Sequence, residues 1–205
     1  MNYLNLREKF KDFTIFSLSD VRKVYPTFDR RRLTEWQSKG YIQKIIRGYY
    51  IFSDFKIEEN SLFTIANKIY NPSYISFETA LSYYHLIPEA VYTVTSVSTK
   101  KTHRFKTGIA EFNYRTLTPA LFFGYNIVSY NGKTFKIATP EKAVIDYFYL
   151  NSNLEKDADY ASLRINKDEF LDIIDEKKMV FFLNKFKKKN LKKRIKTFME
   201  FIKNA

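Results

Sequence analysis

The order of helix start and stop signals in the first 52 residues constrains the fold more than any other feature of the sequence. Ser17 and Asp20 form a capping box that begins a helix, and Pro26 ends that helix. Asp29 is placed to cap the next helix, RRRLTEWQSK, and Gly40 is placed to end it. Two short β-prone runs, YIQKII and YYIF, then follow on either side of an Arg-Gly pair, which predicts a hairpin.

A short helix is also expected at residues 2–11, so the segment contains three helices followed at once by a β-hairpin. This is the element order of a winged helix-turn-helix, and residues 1–56 have the length of one such module. The third helix can be oriented from its own sequence. If Leu33 and Trp36 face the core, the opposite side and the flanks carry basic and hydroxyl-bearing residues.

A helix face of arginine, threonine and serine is typical of a helix that lies in the major groove of DNA. Arg31 is expected to reach a base edge, that of guanine by preference, and the arginines beside it to hold the phosphate backbone. Two residues of the hairpin are placed to reach a phosphate or the minor groove. The candidate DNA-binding residues are Arg30, Arg31, Arg32, Thr34, Ser38, Lys44 and Arg47.

Residues 57–205 predict a second domain of the α+β class. Two helical segments are followed by a change of the hydrophobic period from 3.6 to about 2. Asn131-Gly132 predicts a tight hairpin. After it, Thr139-Pro140 begins a largely apolar helix. We expect a small, mostly antiparallel sheet with helices around it, including strands at residues 91–98, 102–106, 109–115 and 125–130.

The composition excludes several classes of protein. Hydrophobic residues make up 45% of the 205 residues, with 20 Phe and 16 Tyr, which excludes global disorder. The absence of cysteine excludes disulfide scaffolds, iron–sulfur clusters and cysteine nucleophiles, and two histidines are too few for a multi-histidine metal site. We therefore expect no metal and no cofactor. No apolar run resembles a membrane span or a signal peptide, so we expect a cytoplasmic protein without membrane contact, associated with the nucleoid.

Positive charge is concentrated at the two ends of the chain. The net charge of +13 includes +6 on residues 1–56 and +8 on residues 184–205. A helix expected at 190–203 has an apolar stripe, so its basic side chains would be held on the surface of the body, where they suit phosphate groups. An RNA or an acidic protein could use the same surface. This second basic surface comprises Lys192, Lys193, Arg194 and Lys196.

The usual sequence signatures of nucleotide-binding loops, zinc proteases and serine hydrolases do not occur. His85 is expected on an apolar helix as a core or hydrogen-bonding histidine, and His103 on a basic strand or turn as an exposed residue. A metal-dependent nuclease would need an Asp and an [Asp/Glu]-x-Lys pair. Glu176-Lys177-Lys178, preceded by Asp172 and Asp175, matches this in part. These acids are expected on one helix, however, whereas such a site takes its ligands from paired strands.

Four segments of the chain carry a resemblance to a known family. They are FSLSDVRKVYP, RRRLTEWQSKGYIQKIIRGYYIF, SYISFETALSYYHLIPEAVYTVTSVS and IATPEKAVIDYFYL. The first two resemble the winged-helix domain, and the last two the second domain, of the AbiEi-type antitoxins. These are regulators of bacterial abortive-infection (type IV) toxin–antitoxin systems, which defend against phage. The resemblance covers roughly residues 5–150 in order.

The resemblance implies a repressor without enzyme activity. Its first domain would bind inverted repeats of double-stranded DNA in its own promoter. Its second domain would support cooperative binding and counter a nucleotidyltransferase-type toxin without forming a stable complex. By position, the resemblance assigns the third-helix and hairpin residues named above to the DNA contacts. The charged residues of the second-domain segments are not expected to be catalytic; they are Glu78, Glu141, Lys142 and Asp146.

Two other classes of function remain compatible with the sequence. The winged helix could dock a protein, with the C-terminal basic helix holding an acidic partner, which would make the chain an adaptor. The partial nuclease pattern at Glu176 is the less favoured alternative. Three consecutive arginines could also do no more than keep a helix face solvated.

Overall fold

A computed structural model describes residues 1–88 and 92–204 and shows a mixed α+β protein. The described residues form ten α-helices, a 3-10 turn at Pro119–Leu121 and two β-sheets. The helices are α1 (Tyr3–Phe10), α2 (Leu18–Val24), α3 (Arg31–Ser38), α4 (Glu59–Ile69), α5 (Phe77–Tyr83), α6 (Pro140–Leu150), α7 (Asp157–Ser162), α8 (Lys167–Ile173), α9 (Glu176–Phe186) and α10 (Lys189–Asn204). The strands are β1 (Phe16–Ser17), β2 (Ile42–Ile46), β3 (Tyr49–Phe52), β4 (Ser73–Ile75), β5 (Thr93–Ser98), β6 (His103–Lys106), β7 (Glu111–Thr116), β8 (Tyr125–Tyr130) and β9 (Lys133–Ala138).

The predicted capping box of α2 and the glycine after α3 are confirmed, whereas α3 begins one residue later than predicted, with Arg30 rather than Asp29 as its N-cap. Ser17 accepts a hydrogen bond from the Asp20 amide, and the Asp20 carboxylate accepts one from the Ser17 amide, which closes the capping box of α2. The Asp29 carboxylate accepts from the Arg31 amide at the start of α3. Gly40 follows α3 with φ of +71°, the left-handed conformation that ends helices and that glycine adopts without strain.

The small sheet is antiparallel, with strand order β1-β3-β2. β2 and β3 fold back at Arg47-Gly48, as predicted, and Gly48 has φ of +87°. β1 adds a two-residue strand beside β3 immediately before α2.

The second sheet is larger than expected and mixed. Its order is β6-β7-β5-β4-β9-β8, and β4 lies parallel to β9 while β5 lies parallel to β7. The expectation of a small, mostly antiparallel sheet is therefore wrong in size and only partly right in direction. β4 was not predicted, because a strand of three residues is too short to show a hydrophobic period. The strand expected from residue 91 begins at Thr93, and Val91 lies outside the described residues.

Two hydrophobic clusters form the interior. The smaller one contains Leu33 and Trp36 together with other residues of the first 52 positions. The larger one spans both faces of the six-stranded sheet and also takes in Ile15, Ile45 and Ile51 from the N-terminal segment. The N-terminal segment therefore packs directly on the larger body, and the predicted domain boundary after residue 56 stays a prediction.

One ion pair reinforces this packing, and one hydrogen bond joins two parts of the larger body. Lys68 Nζ lies 3.4 Å from an Asp20 carboxylate oxygen, which ties α4 to α2. The Tyr130 hydroxyl donates to Glu58 Oε2 over 2.6 Å, which ties the β8–β9 hairpin to the segment before α4. The first contact joins the N-terminal segment to the larger body, and the second lies within residues 57–205.

A fully buried network of charged and hydroxyl groups lies between α6 and the end of β4. The Lys142 ammonium contacts the Asp146 carboxylate one helical turn later, and both side chains are fully buried. Tyr74 and Ser76 donate their hydroxyl hydrogens to Asp146, while Lys142 Nζ donates to the Tyr74 oxygen over 2.8 Å. Burial raises the pKa of Asp146 and lowers the pKa of Lys142, so each charge depends on the other for its stability.

We expect Lys142→Met to lower the free energy of unfolding by about 3–5 kcal/mol, because it leaves the Asp146 charge buried without its cation. The double variant Lys142→Met/Asp146→Leu should recover much of this stability, because no uncompensated charge then remains. Urea unfolding measures both. Lys193→Met, which removes an exposed lysine of α10, is the matched control and should unfold like the wild type. Equal effects at residues 142 and 193 would contradict this account of the network.

Candidate nucleic-acid interface

The packing of α3 determines which of its side chains can meet a ligand. Leu33 and Trp36 are 1% and 3% exposed, and the Trp36 ring lies 5.8 Å from the rings of both Phe28 and Tyr3. These contacts anchor one side of the helix in the smaller core. The opposite side therefore faces outward, as its sequence predicts.

All seven predicted DNA-binding residues are exposed. Among the described residues, Arg30, Arg31, Lys44 and Arg47 have no carboxylate within ion-pair distance. Their charges are therefore available to a polyanion. Arg32 differs from these four residues because its guanidinium already donates a hydrogen bond, of 2.5 Å, to the Met1 carbonyl oxygen.

The only acidic residue of α3 is neutralised locally. Glu35 forms a 2.6 Å ion pair with Lys39 one turn later, and the hydrogen bond from Lys39 lowers the pKa of Glu35. The Ser38 hydroxyl donates to the Glu35 carbonyl oxygen over 2.7 Å, which leaves its lone pairs exposed. The outward side of α3 thus keeps the positive charge of its arginines.

The hairpin places two cations beyond the core. Lys44 is exposed on β2, and Arg47 occupies the turn before Gly48. The part of the hairpin near the turn is held in place, since Ile45 and Ile51 are buried in the larger cluster. A rigid hairpin with two exposed cations suits contact with a phosphate or a narrow groove.

The second basic surface differs from the prediction in one residue. The apolar stripe of α10 is buried as expected, and Lys193 and Lys196 are exposed, with Lys192 half-buried. Arg194 is only 6% exposed, so its place on this surface is wrong. Its guanidinium instead donates to carbonyl oxygens at the end of α6 and just beyond, those of Phe148, Asn151 and Leu154.

The physical reason is that α6 ends beneath α10. The last carbonyls of a helix lack partners within the helix, and the planar guanidinium can satisfy several of them at once. Burial lowers the pKa of Arg194, although a guanidinium stays charged at neutral pH. Helical periodicity placed this arginine on the flank of the stripe, where a buried and an exposed position look alike.

Two expectations about chemistry are also corrected. The acids near Glu176 do not share one helix: Asp172 lies in α8, Asp175 caps α9 and Glu176 begins it. Glu176 forms a 2.6 Å ion pair with Lys203. His85 is not in an apolar helix, since α5 ends at Tyr83 and His85 is exposed with φ of +56°.

Within residues 1–88 and 92–204, no group of three or more histidine, aspartate or glutamate side chains is arranged to hold a metal ion. No helix in this part of the chain combines the length and the apolar character that a membrane span requires.

Sequence reasoning missed two features. Arg22 and Lys23, in the last turn of α2, are two further exposed cations on the helix before α3. A cavity of about 640 Å³ lies between the β5–β7 part of the large sheet and the helices beside it; its lining includes Glu78, Asn113, Arg115 and Tyr147. The basic pair was visible in the sequence, but the cavity is assembled from distant segments and has no local signal.

A comparison with protein-family models and a comparison with curated proteins found no match to this chain.

We expect Arg194→Ala to lower the free energy of unfolding by about 2–3 kcal/mol, because it removes charge-assisted hydrogen bonds and leaves buried carbonyls unpaired. Urea unfolding measures the effect, with Lys193→Ala as the neighbouring control on the same helix. The control should change stability by less than about 0.5 kcal/mol, since Lys193 is exposed. If Arg194→Ala left the free energy of unfolding unchanged, Arg194 would have to be assigned to the basic surface after all.

Proposed function

We propose that this protein is a sequence-specific DNA-binding transcriptional repressor whose first 56 residues act as a winged helix-turn-helix. The observation that carries the proposal is the outward side of α3, where exposed arginines lack ion-pair partners among the described residues. α2 and α3 supply the two helices of the motif, and the β2–β3 hairpin supplies the wing. α3 is the recognition helix in this proposal.

Each exposed group has a distinct task. Arg31 contacts a base edge in the major groove, where a guanidinium can donate two hydrogen bonds to guanine. Thr34 and Ser38 contact bases or phosphate from the same side of α3. Arg30 and Arg32 hold the phosphate backbone on the two flanks, Arg32 after exchanging its contact with Met1. The wing residues add contacts from the hairpin side, through Lys44 and Arg47.

The resemblance to AbiEi-type antitoxins extends this proposal to a physiological role. The protein would repress its own operon by binding inverted repeats, and would counter a nucleotidyltransferase-type toxin in phage defence without a stable complex. It would need no cofactor and no catalytic residue. Its place of action would be the nucleoid, in the cytoplasm.

The second candidate is an adaptor that docks another protein. The observation favouring it is an exposed apolar pair on α9, where Val180 and Phe181 are 55% and 57% exposed. Isolated exposed apolar residues are common on protein surfaces, so this pair weighs less than the basic side of α3. Stoichiometric co-purification of a protein, without affinity for DNA, would favour the adaptor.

The test of base recognition is Arg31→Ala. We expect it to weaken binding to the DNA upstream of the gene by about 1–3 kcal/mol and to change binding to random DNA much less. Fluorescence anisotropy on both DNAs measures the difference. Lys177→Ala, which removes an exposed charge from α9, is the control for net charge. An equal weakening on the two DNAs would reassign Arg31 to a phosphate contact.

The test of the second basic surface is a triple alanine variant of Lys192, Lys193 and Lys196. If this surface neutralises phosphates, the plot of log binding constant against log salt should become shallower by about 1 for each phosphate that the variant no longer neutralises. Arg194 is left unchanged because it is buried. An unchanged salt dependence would remove α10 from the DNA-binding surface.

A further inference from the structure

The six-stranded sheet ends in two edge strands of opposite character. At one edge, β6 has four residues, two of them basic, and Arg104 is hydrogen-bonded to Glu111 of the neighbouring strand. At the other edge, β8 has six residues with the sequence YNIVSY and carries no charge. Ile127, in the middle of β8, is 65% exposed. Charged side chains protect an edge strand against pairing with another strand, and β8 has none.

Alternate residues of β8 form backbone hydrogen bonds with β9, and the adjoining turn shows which residues these are. Asn131 and Gly132 have φ of +48° and +72°, which makes a two-residue turn, and the Thr139 amide donates to the Gly124 carbonyl over 2.9 Å. In an antiparallel pair, every second residue exchanges hydrogen bonds with the partner strand. The even-numbered residues of β8 therefore bond to β9.

The odd-numbered residues point their amide and carbonyl groups away from the sheet. These are Tyr125, Ile127 and Ser129. No described residue forms a backbone hydrogen bond with them on this outer side. The edge thus presents a row of donors and acceptors around an exposed apolar side chain.

We propose that β8 pairs antiparallel with β8 of a second copy of this chain, across a two-fold axis at Ile127. In this register Ile127 faces Ile127 of the partner subunit, and Tyr125 faces Ser129 of the partner subunit. Each outward residue then exchanges hydrogen bonds with an outward residue, so every free group of the edge is satisfied. A shift by one residue would set outward groups against inward ones, and a shift by two would leave one residue unpaired.

β8 suits a second copy as its occupant because the strand is uncharged and can pair with itself. Two chains with a net charge of +13 repel each other across most of their surfaces. β8 is uncharged, so the two copies can approach along it, and a two-fold axis makes the edge complementary to itself. The contact also covers the exposed Ile127 side chain on both copies.

The pairing has a consequence for DNA binding, and that consequence alone rests on the proposed function. A two-fold dimer presents two recognition helices to the two halves of an inverted repeat. One pair of edge strands buries less area than a stable dimer needs, so the free protein should associate weakly. Binding of two copies to adjacent half-sites would raise their effective concentration and favour the pairing.

The test uses the absence of cysteine in the chain. Ile127→Cys places two thiols opposite each other, with Cα atoms about 5.5 Å apart, a separation that a disulfide can span. Ser129→Cys, at a position that is also exposed, is the matched control. The two copies of residue 129 would lie four residues apart along the paired strands, about 13 Å. Purified full-length variants are oxidised with glutathione disulfide, without DNA, and run on a non-reducing gel.

We expect Ile127→Cys to form a covalent dimer at least about tenfold faster than Ser129→Cys. Ile127→Lys, which sets two positive charges face to face, should reduce self-association measured by sedimentation at high protein concentration. Equal cross-linking of the two cysteine variants, or none in either, would overturn the proposal and leave β8 free for a strand of another protein. Unfolding by urea checks that each variant is folded.

The outcome is separable from that of the proposed function. Arg31→Ala combined with Ile127→Cys should cross-link as fast as Ile127→Cys alone, because the pairing involves no residue of α3. Cross-linking without any DNA affinity would support the dimer and reject the repressor. DNA affinity, together with equal cross-linking of the two cysteine variants or none, would support the repressor and reject the dimer.

Discussion

The buried ion pair between Lys142 and Asp146 is the interaction on which the larger body depends. Asp146 accepts hydrogen bonds from Tyr74 and Ser76, which flank the end of β4, so one carboxylate connects α6 to the middle of the six-stranded sheet. A buried charge is tolerated only when its partners are in place. The position of α6 on the sheet is therefore specified by a polar contact inside an otherwise apolar core.

The N-terminal segment, which is proposed to bind DNA, is built on this body. Ile45 and Ile51 of the hairpin reach the larger core, and the contact between Lys68 and Asp20 joins α4 to the helix that precedes α3. These contacts give α3 and the hairpin a fixed support. In the proposed function, such support pre-organises the basic side chains, so that binding DNA costs less conformational entropy.

The parts of the fold that were predictable from sequence are those with local causes. The capping box at Ser17, the glycine after α3 and the two tight hairpins each depend on a few consecutive residues, and each is present as predicted. The size and mixed direction of the large sheet were not predictable, because β4 has three residues and its partners lie far away in sequence. The burial of Arg194 was missed for the same reason: its partners are carbonyls of a helix more than 40 residues earlier.

The candidate binding surfaces also differ in how far they could be predicted from the sequence. Periodicity around Leu33 and Trp36 was sufficient to orient α3 and to place its arginines outward. The free edge at β8 could not be inferred, because a strand is an edge only in relation to the whole sheet. Local pattern thus predicted the surface proposed to bind DNA, whereas the surface proposed to bind a second copy required the tertiary structure.

The most direct test of the central claim is a gel shift with the DNA immediately upstream of the gene, titrated beside a scrambled fragment of the same length and composition at near-physiological salt. A repressor of the proposed kind binds the upstream fragment tightly and in discrete steps, and binds the scrambled fragment only weakly. Equal, weak binding to both fragments would contradict sequence-specific recognition by α3.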